Sequence, residues 1–321
     1  MANQIAPEQE RLAQILFPYS YERNKEARAG GLRFVHYTTA DAAMKILRSK
    51  EVWMRKSSCM SDFLEVQYGL QRLYRTYGQT ETGKRFQGAL NRMFPGISAE
   101  IEELFNSWTP HFQINTYFTC VSEHDPKEDT FGRLSMWRAY DQGVGVALVL
   151  NNSVFLNPAD GFGAYSSPVA YLDDPGFERE LDRVVENIEG ESDFLKQRGR
   201  EALKASIFHV LRSASLCTKH PGFAEEREWR IIYCPTLEKS SYLVSDIQVI
   251  GGVTQPIFKI PLHDIPEVGL FASVPALLDH IIIGPSQYPL AISEAFQQLL
   301  TEAGVPEPEK KIRISDIPLR R

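Results

Sequence analysis

Three short segments hold residues whose types and spacing could do chemistry. Val35-His36-Tyr37-Thr38-Thr39 puts a histidine in an aromatic, β-branched run. Alternate side chains of a strand face opposite ways, so His36 points away from Val35 and Tyr37. Pro221-Gly222-Phe223-Ala224-Glu225-Glu226-Arg227-Glu228-Trp229-Arg230 leads from a turn into an amphipathic strand. If that strand has begun by Glu226, then Glu226, Glu228 and Arg230 share one face. Two such carboxylates raise each other's pKa unless cations compensate, and Arg227 and Arg230 are near candidates. Ser135-Met136-Trp137-Arg138-Ala139-Tyr140 joins aromatics to an arginine, a set that can stack a flat ring and grip an anion. Each segment also has a plainer reading. These are a hydrogen-bonded histidine, a solvated strand face of alternating charge, and a core tryptophan beside a surface arginine.

Other patterns fail on a missing residue. Gly78-Gln79-Thr80-Glu81-Thr82-Gly83-Lys84 fits the start of a phosphate-binding loop, but Arg85 stands where a magnesium-holding Ser or Thr is required. Cys217-x-x-His220 is half a zinc site with no second pair to complete it. Glu226, Glu228 and Arg230 resemble part of a nuclease metal site without the lysine that such a site expects nearby. No metal-ligating set is assigned.

The elements that must position these residues belong to a chain of 321 residues with net charge −6. Its 43% hydrophobic and 24% charged content is ordinary for a globular protein and gives enough length to bury a core unaided. The acidic balance disfavours a protein that coats nucleic acid with its whole surface. Cys59, Cys120, Cys217 and Cys234 are far apart, which points to free thiols in a reducing compartment. The polar start MANQIAPEQERLAQ has no signal core, and no long apolar run follows, so a soluble, cytoplasmic protein is expected.

Residues 1–30 read as a loosely attached helix and linker, followed by one α+β domain over 31–321. Strands are expected at Leu32–Tyr37, Glu51–Arg55, Thr116–Val121, Gly145–Leu150, Val169–Leu172, Glu228–Tyr233, Gln248–Ile250, Ile257–Ile260, His280–Gly284 and Lys311–Ile314. Helical insertions are expected at about 62–108, broken by Pro95-Gly96, and at 176–216, with a further helix over 290–303. Strict β-α alternation is missing, which favours a mixed, mostly antiparallel sheet.

Taken together the segments resemble DUF2971, a bacterial family of unknown function. The resemblance rests on His36-Tyr37-Thr38, the Ser135–Tyr140 segment, Glu225-Glu226-Arg227-Glu228-Trp229-Arg230, Ile283-Gly284-Pro285 and the closing Ile314–Arg320. A more distant resemblance is to ADP-ribosyltransferase folds. A strand bearing His36-x-Thr38, a helix ending in Ile46-Leu47 and a short strand are similar to their opening, although Tyr37 stands where a glycine is usual. That resemblance implies a split sheet, a catalytic glutamate on a late strand, and a Ser, Thr or Tyr on a middle strand near nicotinamide. Glu226-Arg227-Glu228 and Tyr117, Thr119 or Ser122 suit those places.

The implied reaction breaks the nicotinamide–ribose bond of NAD and passes ADP-ribose to an unknown acceptor, through an oxocarbenium-like transition state. Glu228 would stabilise the developing charge and Glu226 would orient the acceptor. His36 would hold a ribose hydroxyl or the pyrophosphate, and Thr38, with Tyr37 beside it, would position the nucleotide. Trp137 or Tyr117 would stack the nicotinamide, and Arg138 or Arg230 would pair with the pyrophosphate. On this reading Glu228→Gln abolishes turnover and leaves the fold intact. The alternatives are a non-enzymatic module binding a nucleotide or protein, and RNA 2′-phosphotransfer or nuclease activity. A toxin or phage-defence role follows by analogy alone.

Overall fold

The computed structural model describes residues 7–59, 63–139, 144–156 and 161–318. Tyr140 and the tail from Leu319, parts of two of the motifs above, lie outside them. The strands in chain order are β1 Arg33–Thr39, β2 Glu51–Lys56, β3 Tyr117–His124, β4 Gly145–Leu150, β5 Ala164–Pro168, β6 Ala170–Tyr171, β7 Thr218–Lys219, β8 Glu228–Tyr233, β9 Val244–Ile250, β10 Val253–Pro261, β11 Asp264–Ile265, β12 Leu270–Phe271, β13 Leu278–Ile283 and β14 Ile312–Ile314. The main sheet is mixed and mostly antiparallel: it runs β14-β13-β4-β1-β3-β2-β10-β9, β8 pairs with β3 and β5 pairs with β8. Only β13 with β14 is parallel within it. Short β6 and β7 form a separate parallel pair.

Helices cover both faces, and the central strand β4 is accordingly apolar throughout, with every residue buried. On one face Phe34, Val121, Leu148 and Trp229 pack with Ala43 and Leu47 of the helix Ala40–Ser49 and with Phe296 and Leu300 of the helix Pro289–Glu302. Thr39 caps the first of these, its hydroxyl accepting from the Ala42 amide at 3.2 Å. On the other face the helical insertions gather around Phe118 and Ile232. They form helices Phe63–Gln79, Glu81–Met93 and Ile97–Ile114, then Asp174–Gly190, Ser192–Gln197 and Arg200–Leu216. The Gly78–Lys84 stretch is a helix junction, with the Thr80 hydroxyl capping the second helix and Lys84 paired to Glu81, so it forms no phosphate-binding loop.

Two expectations need correction. Residues before β1 form two helices, Pro7–Leu16 and Pro18–Ala29, that are packed rather than loose. Ile15, Leu16 and Ala27 are buried, and Tyr19 donates to the Val169 carbonyl at 3.0 Å. The strand expected at 169–172 shrinks to two residues, while Ala164–Pro168, with serines and a proline, forms the edge strand beside β8. Among the described residues no helix is long and apolar enough to cross a membrane.

The ladder forks at β3. With β8 along one edge of β3, β1 and β2 share the other. β1 pairs there only through Arg33, Phe34 and Val35, and β2 only through Arg55 and Lys56. Between them the His36 imidazole replaces the backbone ladder, its Nδ1 lying 3.0 Å from the Cys120 carbonyl.

Candidate functional site

A cavity of about 980 Å³ opens in this fork. That is at the upper end of the size range of small-molecule sites. Its walls are mostly apolar, with Ile46 and Leu47 from the helix Ala40–Ser49, Val52 from β2, and Val121, Leu148 and Ile231 from the rest of the sheet. The helix Pro18–Ala29 closes one side and brings exposed Lys25 and Arg28 to the rim. Arg28 also donates to the Leu156 carbonyl. Exposed Glu10 and Glu238 are the carboxylates of the lining.

Three polar side chains punctuate the floor: His36 of β1, Thr119 of β3 and Ser166 of β5. They share a face because Thr119 pairs with Ile231 and Ile231 with Ser166 across β8. The Ser166 hydroxyl is buried and has no hydrogen-bond partner. A carbonyl only accepts, so the contact to Cys120 requires Nδ1 of His36 to carry the hydrogen. Burial pushes the His36 pKa down, against the opposing effect of that bond. The neutral ring therefore presents Nε2 as an acceptor.

The acidic pair lies elsewhere. Glu226 ends a 3-10 turn, Pro221–Glu226, and the strand begins only at Glu228, because Arg227 between them is left-handed at φ 45°. Glu228 pairs with Ser122, and its side chain takes the face opposite Trp229 and Ile231. There it is 6% exposed, with Arg230 Nε at 2.7 Å and Lys219 Nζ at 3.0 Å. Lys219 also holds Glu226 at 2.5 Å. Burial would raise the Glu228 carboxyl; the Arg230 guanidinium and the Lys219 ammonium override it and hold the group well below the usual carboxylate range. Arg230 reaches on to the Leu216 carbonyl at 2.6 Å. Arg227, expected to compensate this pair, binds Glu128 instead.

Of the residues singled out by sequence, the cavity thus takes His36 and Thr119. Glu226, Glu228, Arg230 and Ser122 gather behind the sheet, so the single cleft expected to join His36 to the acidic pair is not formed. Tyr37 and Trp137 form a third group on that same rear face. Their rings meet edge-on at 4.9 Å, the Tyr37 hydroxyl accepts from the Arg133 amide, and the Trp137 indole donates to the Phe131 carbonyl at 2.7 Å. Trp137 is buried and Arg138 is exposed. Tyr117 packs edge-on against Phe258 at 4.7 Å, outside the cavity lining. Thr38 stays in the β1–β4 ladder opposite Val146, also outside the lining. Cys217 is buried, and His220 caps the turn by accepting from the Gly222 amide at 3.0 Å.

Sequence reasoning missed Lys219, Ser166, Lys25 and Arg28. Lys219 follows a long helix in a stretch with no strand pattern, and only the fold places it over Glu226 and Glu228. It also missed a group at one end of the rear face, where buried His124 and His280 meet half-buried Asp129. Burial pushes His280 down to about 4 against the opposing pull of Asp279, and it lowers His124 as well. Asp129 is held well below the carboxylate range: burial opposes this, but hydrogen bonds from Arg33, His124 and Arg313 prevail.

The chain has no match among curated proteins or among solved structures. Residues 136–231, from the Trp137 helix through the Glu228 cluster to Ile231, match the model of DUF2971, a family of proteins of unknown function.

Proposed function

We propose that the chain binds a nucleotide, NAD in the first instance, in the cavity at the sheet fork. The observation that carries this reading is the His36 ring itself. Its Nδ1 is committed to the Cys120 carbonyl, and Nε2 is left as an acceptor on the floor of an apolar cavity with Lys25 and Arg28 at the rim. An acceptor there suits a ribose hydroxyl, apolar walls suit a base, and cations at the rim suit a pyrophosphate. Thr119 and Ser166 offer two further hydroxyls to the same ligand.

Cleavage of NAD with ADP-ribosyl transfer is the second reading. Its support is the fork: a His-x-Thr strand, a capped helix and a short strand flank a gap in the sheet, as in the ADP-ribosyltransferase-like split sheet that the distant resemblance implies. Glu228 faces away from that gap and is neutralised by Lys219 and Arg230. Transfer in the cavity would therefore draw on a rim carboxylate, Glu10 or Glu238.

Equilibrium dialysis with NAD, paired with chromatography for free nicotinamide, separates the readings. Saturable binding without nicotinamide release supports the binding module. Release that is lost in His36→Ala and kept in Glu228→Gln supports transfer within the cavity. No binding at millimolar NAD removes both.

A further inference from the structure

Beyond the cavity, we propose that His124, Asp129 and His280 form a binding site for one divalent transition-metal ion, of which zinc is the first to test. The three come from separate parts of the chain. His124 ends β3, Asp129 follows a 3-10 turn at Pro126–Glu128, and His280 lies in β13. The fold brings one donor atom from each within 4.8 Å of the others. His124 Nε2 is 2.7 Å from Asp129 Oδ1, and His280 Nε2 is 3.7 Å from the same oxygen. Two imidazoles and a carboxylate are a donor set that zinc and its first-row neighbours accept, and small rotations would give bond lengths of about 2.0–2.2 Å.

The hydrogen bonding is what points to an ion. His280 is 2% exposed, and its Nδ1 donates to Asp279 Oδ2 at 2.8 Å. In the neutral ring Nε2 is then a bare lone pair, buried without a partner and facing an anionic oxygen. A buried lone pair 3.7 Å from a carboxylate oxygen calls for a cation between them. His124 is fully buried, and its Nδ1 likewise has no hydrogen-bond partner. Glu128 Oε2 lies 3.8 Å from it. If Nε2 turned to a metal, the hydrogen would move to Nδ1 and face that carboxylate. Each imidazole would then have a carboxylate behind it, the usual outer support of a metal-bound histidine.

Asp129 also binds Arg33 at 2.6 Å and Arg313 at 2.9 Å. These guanidiniums oppose an added cation. Arg33 has a second carboxylate in Asp279, and Arg313 uses the other oxygen of Asp129, so Oδ1 can turn to an ion without orphaning either. The cost selects metals that imidazole binds well over magnesium or calcium.

The test uses the full chain, passed over chelating resin and titrated separately with zinc and with cobalt. The expected result is one tightly held ion per chain, a cobalt spectrum showing nitrogen ligation, and a raised Tm. His280→Asn keeps a donor to Asp279 but removes Nε2, so it should lower affinity at least tenfold. Wild-type protein that takes up no zinc or cobalt overturns the site, as does undiminished uptake by folded His280→Asn. Should that variant not fold, X-ray absorption of the wild-type zinc complex decides: two imidazoles support the site, and none contradicts it.

Discussion

His36 and Glu228 stand on opposite faces of one sheet. His36 faces the cavity with Thr119 and Ile231, and Glu228 faces the rear with Ser122 and Arg230. The strand β3, which both β1 and β8 border, fixes the relation. An even–odd count along three paired strands places the two side chains apart, and no rotamer reunites them.

The acidic pair is therefore expected to act on stability. Glu228→Gln removes the buried carboxylate that faces both Lys219 and Arg230 and leaves Lys219 with the partly exposed Glu226, which costs about 3–5 kcal/mol. Glu226 is partly exposed, and Glu226→Gln costs about 0–1 kcal/mol. Urea titration of both variants checks the difference. Equal, small effects would contradict a structural role for Glu228.

His36→Ala is expected to weaken NAD binding by about tenfold or more, the worth of a hydrogen bond of roughly 1.5 kcal/mol at a buried acceptor. Glu228→Gln, where folded, should bind as wild type does. Equilibrium dialysis on both variants gives the comparison.

The Trp137 pocket gives a packing prediction. A Cβ at Gly284 would lie 2.9 Å from the Gly145 carbonyl oxygen and 3.0 Å from the Trp137 ring. At Gly132, where φ is +66°, it would lie 2.5 Å from that ring. Gly284→Ala should cost about 1–3 kcal/mol and shift the tryptophan fluorescence. Wild-type stability with an unchanged spectrum would contradict the close packing.

Acid should destabilise the chain in two stages. His280 and His124 titrate lower folded than unfolded, so their contribution is complete above the ordinary histidine pKa of about 6.5. It declines as the pH falls towards about 4, the value of His280. The depressed Glu228 pKa adds a second loss below the ordinary carboxylate range. Urea midpoints, measured with a chelator present, should hold level above about pH 7, fall between about pH 6.5 and 4.5, and fall further below about pH 4. A rise between pH 6.5 and 4.5 would contradict the buried, neutral histidines.

Much of the fold is legible in the sequence because its signals are local. The aromatic, β-branched run of β1, the unbroken apolar β4 and the helical stripes after residue 62 each state their own structure. β5 is not legible, since Tyr165, Ser166, Ser167 and Pro168 earn their place by pairing with β8. Within the site, His36 can be picked out by its position between a strand and a capped helix. Strand alternation alone does not bring Glu226 beside Glu228, because the strand begins only at Glu228 and the left-handed Arg227 breaks the alternation; Lys219 holds the two together instead. Joining them to His36 failed for another reason: a motif fixes a residue's local setting, while the face it occupies depends on register to strands far away.

The most direct check on the central claim is a crystal structure of the chain grown with saturating NAD. The account predicts density for the nucleotide in the fork cavity, with a ribose hydroxyl within hydrogen-bond distance of His36 Nε2 and phosphates towards Lys25 and Arg28. Nucleotide bound at Glu226 and Glu228 behind the sheet, or a cavity without it at saturation, would contradict the account.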